Sequence, residues 1–368
     1  MYESRPNAVT RLYRGLTSVD FVGRRKIWFA VSALVIVMGA VSLGVRGLNL
    51  GIDFKGGNSW QVTAKNVTQT EALNAVTAAG LTQPTVYILG GRTINVEADL
   101  NSLSSDAQKA LSAKVRAALA QVAHTTSDQV SSNTVGPTWG GQVTKRALWA
   151  LLAFFIAVLI YISARFEPKM ALAAFVAMIH DLLVTLGVYS LFGFQITPDT
   201  VIAILTILGY SLYDTVVVFD RVRDNSRGVL NSGALSYSDM VNLSMNQTLA
   251  RSINTSLVAI MPVLAVLLVG AELLGATTLQ NYGLALFVGL MSGAYSSIFI
   301  ASPLLAILKE REPRYRELAR RVSTRSAMTP AAAAVMGSET TSAVRSAVSR
   351  YAVPQTTVTP KGRKQKRR

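Results

Sequence analysis

No cysteine occurs in this chain, and only two histidines do, among 368 residues. Disulfides are thereby excluded, so any segment outside a membrane needs its own apolar core or a partner. His124 is followed by polar residues, and no carboxylate pair stands at metal spacing near it, which leaves metal chemistry without a ligand set. No metal, no cofactor and no catalytic residue is expected, and the chain does not read as an enzyme. Charge is also scarce, at 15% Asp, Glu, Lys and Arg, and the acidic residues are the scarcer, 20 against 36 basic ones. The connections 193–199 and 270–278 hold no Lys or Arg at all.

Apolar residues take the place of the missing charge. Half the chain is hydrophobic and mean hydropathy is +0.36, values ordinary for a membrane protein. Six apolar runs reach spanning length: Ile27–Val45, Ala147–Ile162, Met170–Phe192, Thr200–Phe219, Ile253–Val269 and Leu279–Leu308. The last exceeds a bilayer and is expected to tilt or to end in the interface. The first follows Arg24-Arg-Lys26 but is longer than a signal-peptide core and lacks a clear A-x-A site, so it reads as a retained anchor.

Basic residues cluster at 5–26, 165–169 and 221–227, and the stretch 309–368 carries fifteen Lys and Arg against four Asp and Glu. The positive-inside rule then sets both termini in the cytoplasm and the segment 46–146 outside. The expected organisation is a cytoplasmic N-terminal segment 1–26, a first transmembrane helix 27–45, an extracytoplasmic domain 46–146, helices two to six within 147–308 with a cytoplasmic loop at 221–250, and a basic disordered tail 309–368. The N-terminal segment reads equally as a short interfacial helix or a plain tail. The final Lys361-Gly-Arg-Lys-Gln-Lys-Arg-Arg368 suits anionic lipid or ribosomal RNA by charge alone.

The most informative stretch is Gly209-Tyr-Ser-Leu-Tyr-Asp214-Thr-Val-Val-Val-Phe-Asp220. Asp214 lies six residues inside the charged helix exit at Asp220, roughly 9 Å along the axis, too deep for so short a side chain to reach water. An ionised carboxylate there costs several kcal/mol unless it is paired, hydrated or protonated, which suits a group that gains and loses a proton. Helical spacing sets Tyr210 and Ser211 one turn before it, with hydroxyls expected to bond the carboxyl. The bland alternative is an Asp that ties two helices together. His180-Asp181 sits near the middle of the third run. Adjacent residues point about 100° apart, so one is expected to serve as structural glue and the other to serve a pathway. Arg251 and Asn254 stand at the start of the fifth run; Arg251 either snorkels to phosphates or reaches toward Asp214.

The exported segment reads as β-α-β-β-α-β, the order of a ferredoxin-like domain. Its strands are Ser59–Ala64, Thr85–Leu89, Arg92–Glu97 and 128–135, and its helices are Thr70–Ala79, opened by a Thr cap, and Ser104–Val122. Gly90-Gly91 supplies the hairpin signal. Before it, Gly51, Asp53, Gly56 and Gly57 suggest a close backbone approach beside a strand. The fold class is thus a multi-pass α-helical membrane protein with six transmembrane helices and one extracytoplasmic α+β ferredoxin-like domain. Gly228–Gly233 reads as a loop, Ser236-x-x-Asp239 as a capping box, and the small residues Gly283, Gly289, Ser292, Gly293, Ser296 and Ser297 as a close-packing face.

These landmarks resemble the SecF family, the smaller subunits of bacterial SecDF protein-translocation complexes and relatives of the RND transporters. The resemblance rests on Gly51-Ile-Asp-Phe-Lys-Gly-Gly57, Val135-Gly-Pro-Thr138, His180-Asp181, Tyr210-Ser-Leu-Tyr-Asp214 with Asp220-Arg221, Asn246 to Arg251, and Tyr295-Ser-Ser-Ile-Phe299. It covers Asp20 to about Leu308. It implies SecD as partner, the SecYEG channel and an exported unfolded polypeptide as further partners, protons as the driving species, and a bacterial cytoplasmic membrane as location. By motif, Asp214 matches the proton-path carboxylate and Arg251 the arginine of the following span, while Tyr213 stands where many members carry Asn. Two rival readings are half of an RND-type small-molecule exporter and a non-transporting scaffold.

Overall fold

The structure, a computed structural model, describes residue 17 and residues 19–64, 67–89, 92–229, 235–273 and 277–327, with backbone alone at 137, 228–229, 270–273, 277–279 and 325–327. The expected basic tail beyond 327, residues 1–16 and 18 of the N-terminal segment, and the Gly90-Gly91 turn lie outside the described residues.

The α+β domain forms from β2 (Gly57–Thr63), α3 (Gln69–Ala78), β3 (Thr85–Leu89), β4 (Thr93–Ala98), α4 (Ser105–Val122) and β5 (Ser131–Val135). Its sheet runs β3-β4-β2-β5 with every neighbouring pair antiparallel, the ferredoxin-like arrangement that the element order called for. Period-two burial in β2 and β4 turns Trp60, Val62, Ile94 and Val96 inward, where Val76, Val115 and Leu119 of the two helices meet them. The indole N–H of Trp60 donates to Ser112 at 3.0 Å, so the largest core residue is also polar-satisfied. Helix α3 starts one residue earlier than the apolar pattern indicates. Its cap is Thr68, whose side chain and Glu71 close a reciprocal capping box, and Thr70 lies inside the helix.

Among the described residues, six helices are long and apolar enough to cross a membrane. They are α1 (Arg25–Arg46), α5 (Pro137–Arg165), α6 (Pro168–Phe192), α7 (Pro198–Val229), α8 (Tyr237–Ala265) and the rod made of α9 (Thr277–Ser296), a π-helical turn at Ser297–Ala301 and α10 (Ser302–Glu310). Half of the most apolar stretch is buried in α6, in α7 and in the sixth rod, against 11–17% in α1, α5 and α8, the pattern of an inner group of helices and an outer one. The first part of the stretch 309–368, expected to be disordered, is helical: α10 runs to Glu310, and an amphipathic helix, α11, covers Pro313–Ala327.

Several boundaries move. The region 221–250 is mostly helical: α7 continues to Val229, and α8 begins at Tyr237, opened by the Ser236–Asp239 capping box that the sequence indicated and running on past Arg251. Polar pairs hold these two extensions together, with Arg221 donating to Gln247 at 2.7 Å and Asn225 to Ser244 at 2.8 Å. Gly228 is helical, and 230–234 fall outside the described residues. The second spanning helix starts at Pro137, so the α+β domain ends at Val135 and residues up to 146 belong to the helix. Residues 19–22 form neither a free tail nor a helix of their own. Phe21 and Val22 are buried, and Asn242 and Asn246 of α8 bond the backbone of residues 19, 21 and 22 at 2.9–3.0 Å.

Two glycines fix the meeting of α1 and α6. A Cβ on Gly39 would stand 2.7 Å from the Gly187 Cα, and one on Gly187 2.9 Å from the Gly39 Cα, so the backbones touch where only hydrogens fit. Opposite the basic helix ends, β1 (Asn49–Leu50) pairs in parallel with β6 (Gln195–Ile196) and ties the exit of α1 to the α6–α7 connection.

Candidate functional site

Asp214 lies in α7, 4% exposed, at the junction of α7, α8 and the sixth rod. Its Oδ2 accepts a hydrogen bond from Ser297, the first residue of the π-helical turn. Such turns insert one residue into the helical register and re-aim a side chain, and they recur at functional sites. The same Ser297 hydroxyl also stands 3.3 Å from the Ala294 carbonyl of its own helix, so it has a second acceptor to fall back on. Ser252 of α8, itself 1% exposed, approaches the carboxylate, but its hydroxyl closes no hydrogen bond.

The residues expected around Asp214 are arranged differently. Tyr210 donates to the Thr255 carbonyl at 2.6 Å and ties α7 to α8. Ser211 donates to Asp181 at 2.6 Å. Neither hydroxyl bonds Asp214, because each finds an acceptor on a facing helix. Arg251 is exposed and turned away; the α8 residue that faces the carboxylate is its neighbour Ser252, one helical step of about 100° further round. Asn254 is exposed as well. Tyr213 is 56% exposed on the outward face of α7 and takes no part in the buried cluster.

His180 and Asp181 are both buried and converge, against the expectation that they would serve different grooves. Asp181 accepts from Ser211 at 2.6 Å, Ser292 at 2.7 Å and Ser296 at 2.8 Å, and stands 3.2 Å from His180 Nδ1. The imidazole folds back onto its neighbour, which overrides the angular separation of their Cα–Cβ bonds. His180 Nε2 lies 3.0 Å from Ser32 Oγ of α1, and the Tyr295 ring stacks beside the imidazole at 6.1 Å.

Three hydroxyls in the sixth rod thus serve the two carboxylates, Ser292 and Ser296 on Asp181 and Ser297 on Asp214, with Ser211 of α7 as a further donor to Asp181 and Ser32 of α1 beside His180. The small-residue pattern flagged the first three as packing surface. The signal that marks them as donors is their hydroxyls at spacings of four and five residues, opposite two apolar helices that each bury one acid.

The glycine motif is a joint. Gly56 and Gly57 hold φ of 80° and 129°, a region that side chains disfavour, and a Cβ on Gly140 of α5 would lie 2.7 Å from the Phe54 carbonyl oxygen. Gly51 bonds the Ile196 carbonyl at 2.9 Å. Between them α2 (Ile52–Lys55) carries Asp53, whose carboxyl is pushed up by burial first and by Asp199 second. Above the joint, Gln195 donates to Glu97 at 2.5 Å and Tyr87 to Asn49 at 3.0 Å, so the α+β domain is bolted to the ends of α1 and α6. Burial also raises the Glu97 carboxyl.

With this geometry in hand, the comparisons with known proteins are specific. Residues 114–311 match the family "Protein export membrane protein SecD/SecF, C-terminal", and residues 41–66 match the "SecD/SecF GG Motif". The chain is 44% identical over 317 residues to the "Protein translocase subunit SecF" of Streptomyces coelicolor, covering 85% of this chain and 82% of that one. It is 42% identical over 326 residues to the protein of the same name from Mycobacterium tuberculosis, with 86% and 73% covered. Among solved structures, SecDF of Thermus thermophilus, titled a translocon-associated membrane protein, superposes with a TM-score of 0.71 at 32% identity over 81% of this chain. This chain covers 39% of that SecDF chain, about two-fifths of its length.

Proposed function

The chain belongs to the SecD/SecF family of protein export membrane proteins, and from that membership we propose that it acts as the SecF subunit beside SecD. In this reading the pair draws on the proton gradient to assist late steps of protein translocation through a SecYEG channel. The exported substrate is an unfolded polypeptide, the membrane is the bacterial cytoplasmic one, and both termini are cytoplasmic.

The observation that carries the reading is the setting of Asp214. When the carboxylate is ionised, Ser297 donates to it and Ser252 has a hydroxyl free to turn toward it. When it is protonated, its own O–H needs an acceptor, which Ser252 Oγ supplies, while Ser297 turns to the Ala294 carbonyl. Both charge states leave the buried polar atoms paired, so neither carries the full penalty of an unsatisfied group. What differs is which helices the serines tie together. A change of proton occupancy therefore biases the packing of α7, α8 and the sixth rod, and the joint at 51–57 passes that bias to the α+β domain.

The partner side of the proposal rests on the outward face of α7 and α8. Tyr213 and Arg251 are exposed there, and polar groups on spanning helices are expensive against lipid but ordinary against a second helical subunit.

The test is export of a secreted reporter from cells or vesicles whose only copy is Asp214→Asn, with assembly measured beside it. Precursor accumulation in an intact complex, equal to that caused by collapsing the gradient, supports the motor. Normal export with the gradient in place makes Asp214 structural and leaves the scaffold reading.

A further inference from the structure

We propose that His180, held by Asp181, is a second proton-carrying site of the membrane domain, distinct from Asp214 and linked to it through Ser296 and Ser297. The proposal rests on the proton-driven reading of Asp214 only for its use, since the chemistry of the site stands on its own geometry.

Asp181 meets four donors: the hydroxyls of Ser211, Ser292 and Ser296 and the Nδ1 edge of His180. A carboxylate has about four lone-pair positions, and a neutral acid has one fewer acceptor and a proton of its own to place. Four converging donors are the coordination of the ionised form. The Nδ1 of His180 therefore carries hydrogen toward Asp181, and the charge state of the imidazole is decided at Nε2 alone.

At Nε2 the arrangement accepts either state. In the neutral ring, Nε2 accepts the Ser32 hydroxyl at 3.0 Å. When a proton binds Nε2, the new N–H donates to Ser32 Oγ, and the Ser32 hydrogen turns to the Tyr295 oxygen 3.4 Å away. That oxygen is free to accept, because Tyr295 spends its own hydrogen on the Trp28 carbonyl at 2.9 Å. One proton is gained, one hydroxyl rotates and no bond is orphaned. The protonated imidazole and the Asp181 carboxylate then form a pair of zero net charge.

The surroundings do not compete for that proton. From its own helix His180 meets Asp181, and from the sixth rod it meets Tyr295. Helix α1 offers only Ser32, and α7 reaches the pair only through Ser211. A groove of about 430 Å³ between α1, α6 and α9, walled by Val31, Val35, Val184, Phe287 and Met291, has His180, Ser32 and Tyr295 among its lining residues. The link to Asp214 is covalent in part: Ser296 holds Asp181 and the next residue, Ser297, holds Asp214. Each of these serines has a fallback acceptor on its own helix, Gly293 O or Ala294 O, at 3.3 Å. A shift of the π-helical turn that releases one acid must disturb the other.

The experiment uses the full chain with ¹⁵N-labelled histidine in a lipid bilayer, read by nitrogen NMR across about pH 5 to 8, where imidazole ordinarily changes charge. Only two histidines exist, so His124→Gln assigns both signals, and an unchanged unfolding midpoint in a bilayer mimic shows that the helical domain of the Asp181 variant is still folded. The expected result is a His180 signal that passes from the Nδ1–H neutral form to the doubly protonated form. In Asp181→Asn it stays neutral, and in Asp214→Asn its transition is displaced. A His180 signal that remains one neutral tautomer throughout, or that is indifferent to Asp181→Asn, overturns the proposal. These readings do not depend on export, so failure of the Asp214 motor and failure of the His180 site are told apart.

Discussion

The hydroxyl of Ser297 donates to Oδ2 of Asp214, joining the π-helical turn of the sixth spanning rod to the middle of the fourth helix. A hydrogen bond to a charged group is worth about 1.5–3 kcal/mol, so removing it changes the balance between the two charge states by roughly tenfold or more. Ser297→Ala is expected to assemble normally and to lose most gradient-driven export, while Ser297→Thr, which keeps the hydroxyl, retains most of it. Export rate in vesicles, normalised to the amount of complex, checks this.

The contact between Gly39 and Gly187 is backbone against backbone. An added methyl has no flexible side chain to push aside, so α1 and α6 must separate. Gly187→Ala is expected to destabilise the helical domain by about 1–3 kcal/mol and to lower the unfolding midpoint measured in a bilayer mimic, with Gly187→Leu worse. An unchanged midpoint in both would show that the helices are not in contact there.

Glu97 and Asp53 give the joint a pH dependence. Burial is the largest influence on each and raises both carboxyls above their ordinary values; the Gln195 and Asn95 hydrogen bonds pull Glu97 partly back. The folded chain therefore binds these protons more tightly than the unfolded chain does. Their contribution to stability is greatest below the ordinary carboxyl range and is lost as pH rises through the raised folded values. Glu97→Gln keeps an acceptor for Gln195 and removes the titration. Thermal unfolding of the full chain between about pH 4 and pH 8 should show a flatter pH slope in Glu97→Gln, and flatter still with Asp53→Asn added.

Residues 19–22 are held to α8 by Asn242 and Asn246 and by the buried side chains of Phe21 and Val22. Each bond contributes on the order of 1 kcal/mol. Asn242→Ala with Asn246→Ala is expected to free the segment and to speed tryptic cleavage at Arg24, Arg25 and Lys26 several-fold, read from the time course of the shortened fragment.

Much of this was legible in the sequence. The length of the apolar runs gave the six helices, the alternation of Trp60, Val62, Ile94 and Val96 gave the sheet, and the depth of Asp214 marked it without any structure. The partners of Asp214 were not legible, for a geometric reason. Which of Arg251 and Ser252 faces the carboxylate is a question of one residue in helical phase, and the register of the sixth rod is reset by the π-helical turn at Ser297–Ala301. Serine is also small enough to read as packing, so Ser292, Ser296 and Ser297 were visible as a face and invisible as donors. The Gly39–Gly187 contact joins residues far apart in the chain and leaves no local trace. Asn246, by contrast, stood out in sequence as part of a family motif, and the structure gives it an anchoring task on the N-terminal segment.

The central claim is that Asp214 takes up and releases a proton inside the membrane. Infrared difference spectroscopy of the full chain in a bilayer tests it most directly, by following the carbonyl stretch of protonated carboxylic acids as pH is lowered. One component of the band should grow on acidification, be missing in Asp214→Asn and remain in Asp53→Asn and Glu97→Gln, while the other acidic side chains supply the rest of the band in every variant. If no part of the band depends on Asp214, the carboxyl does not change its charge, and the proton-driven account fails with it.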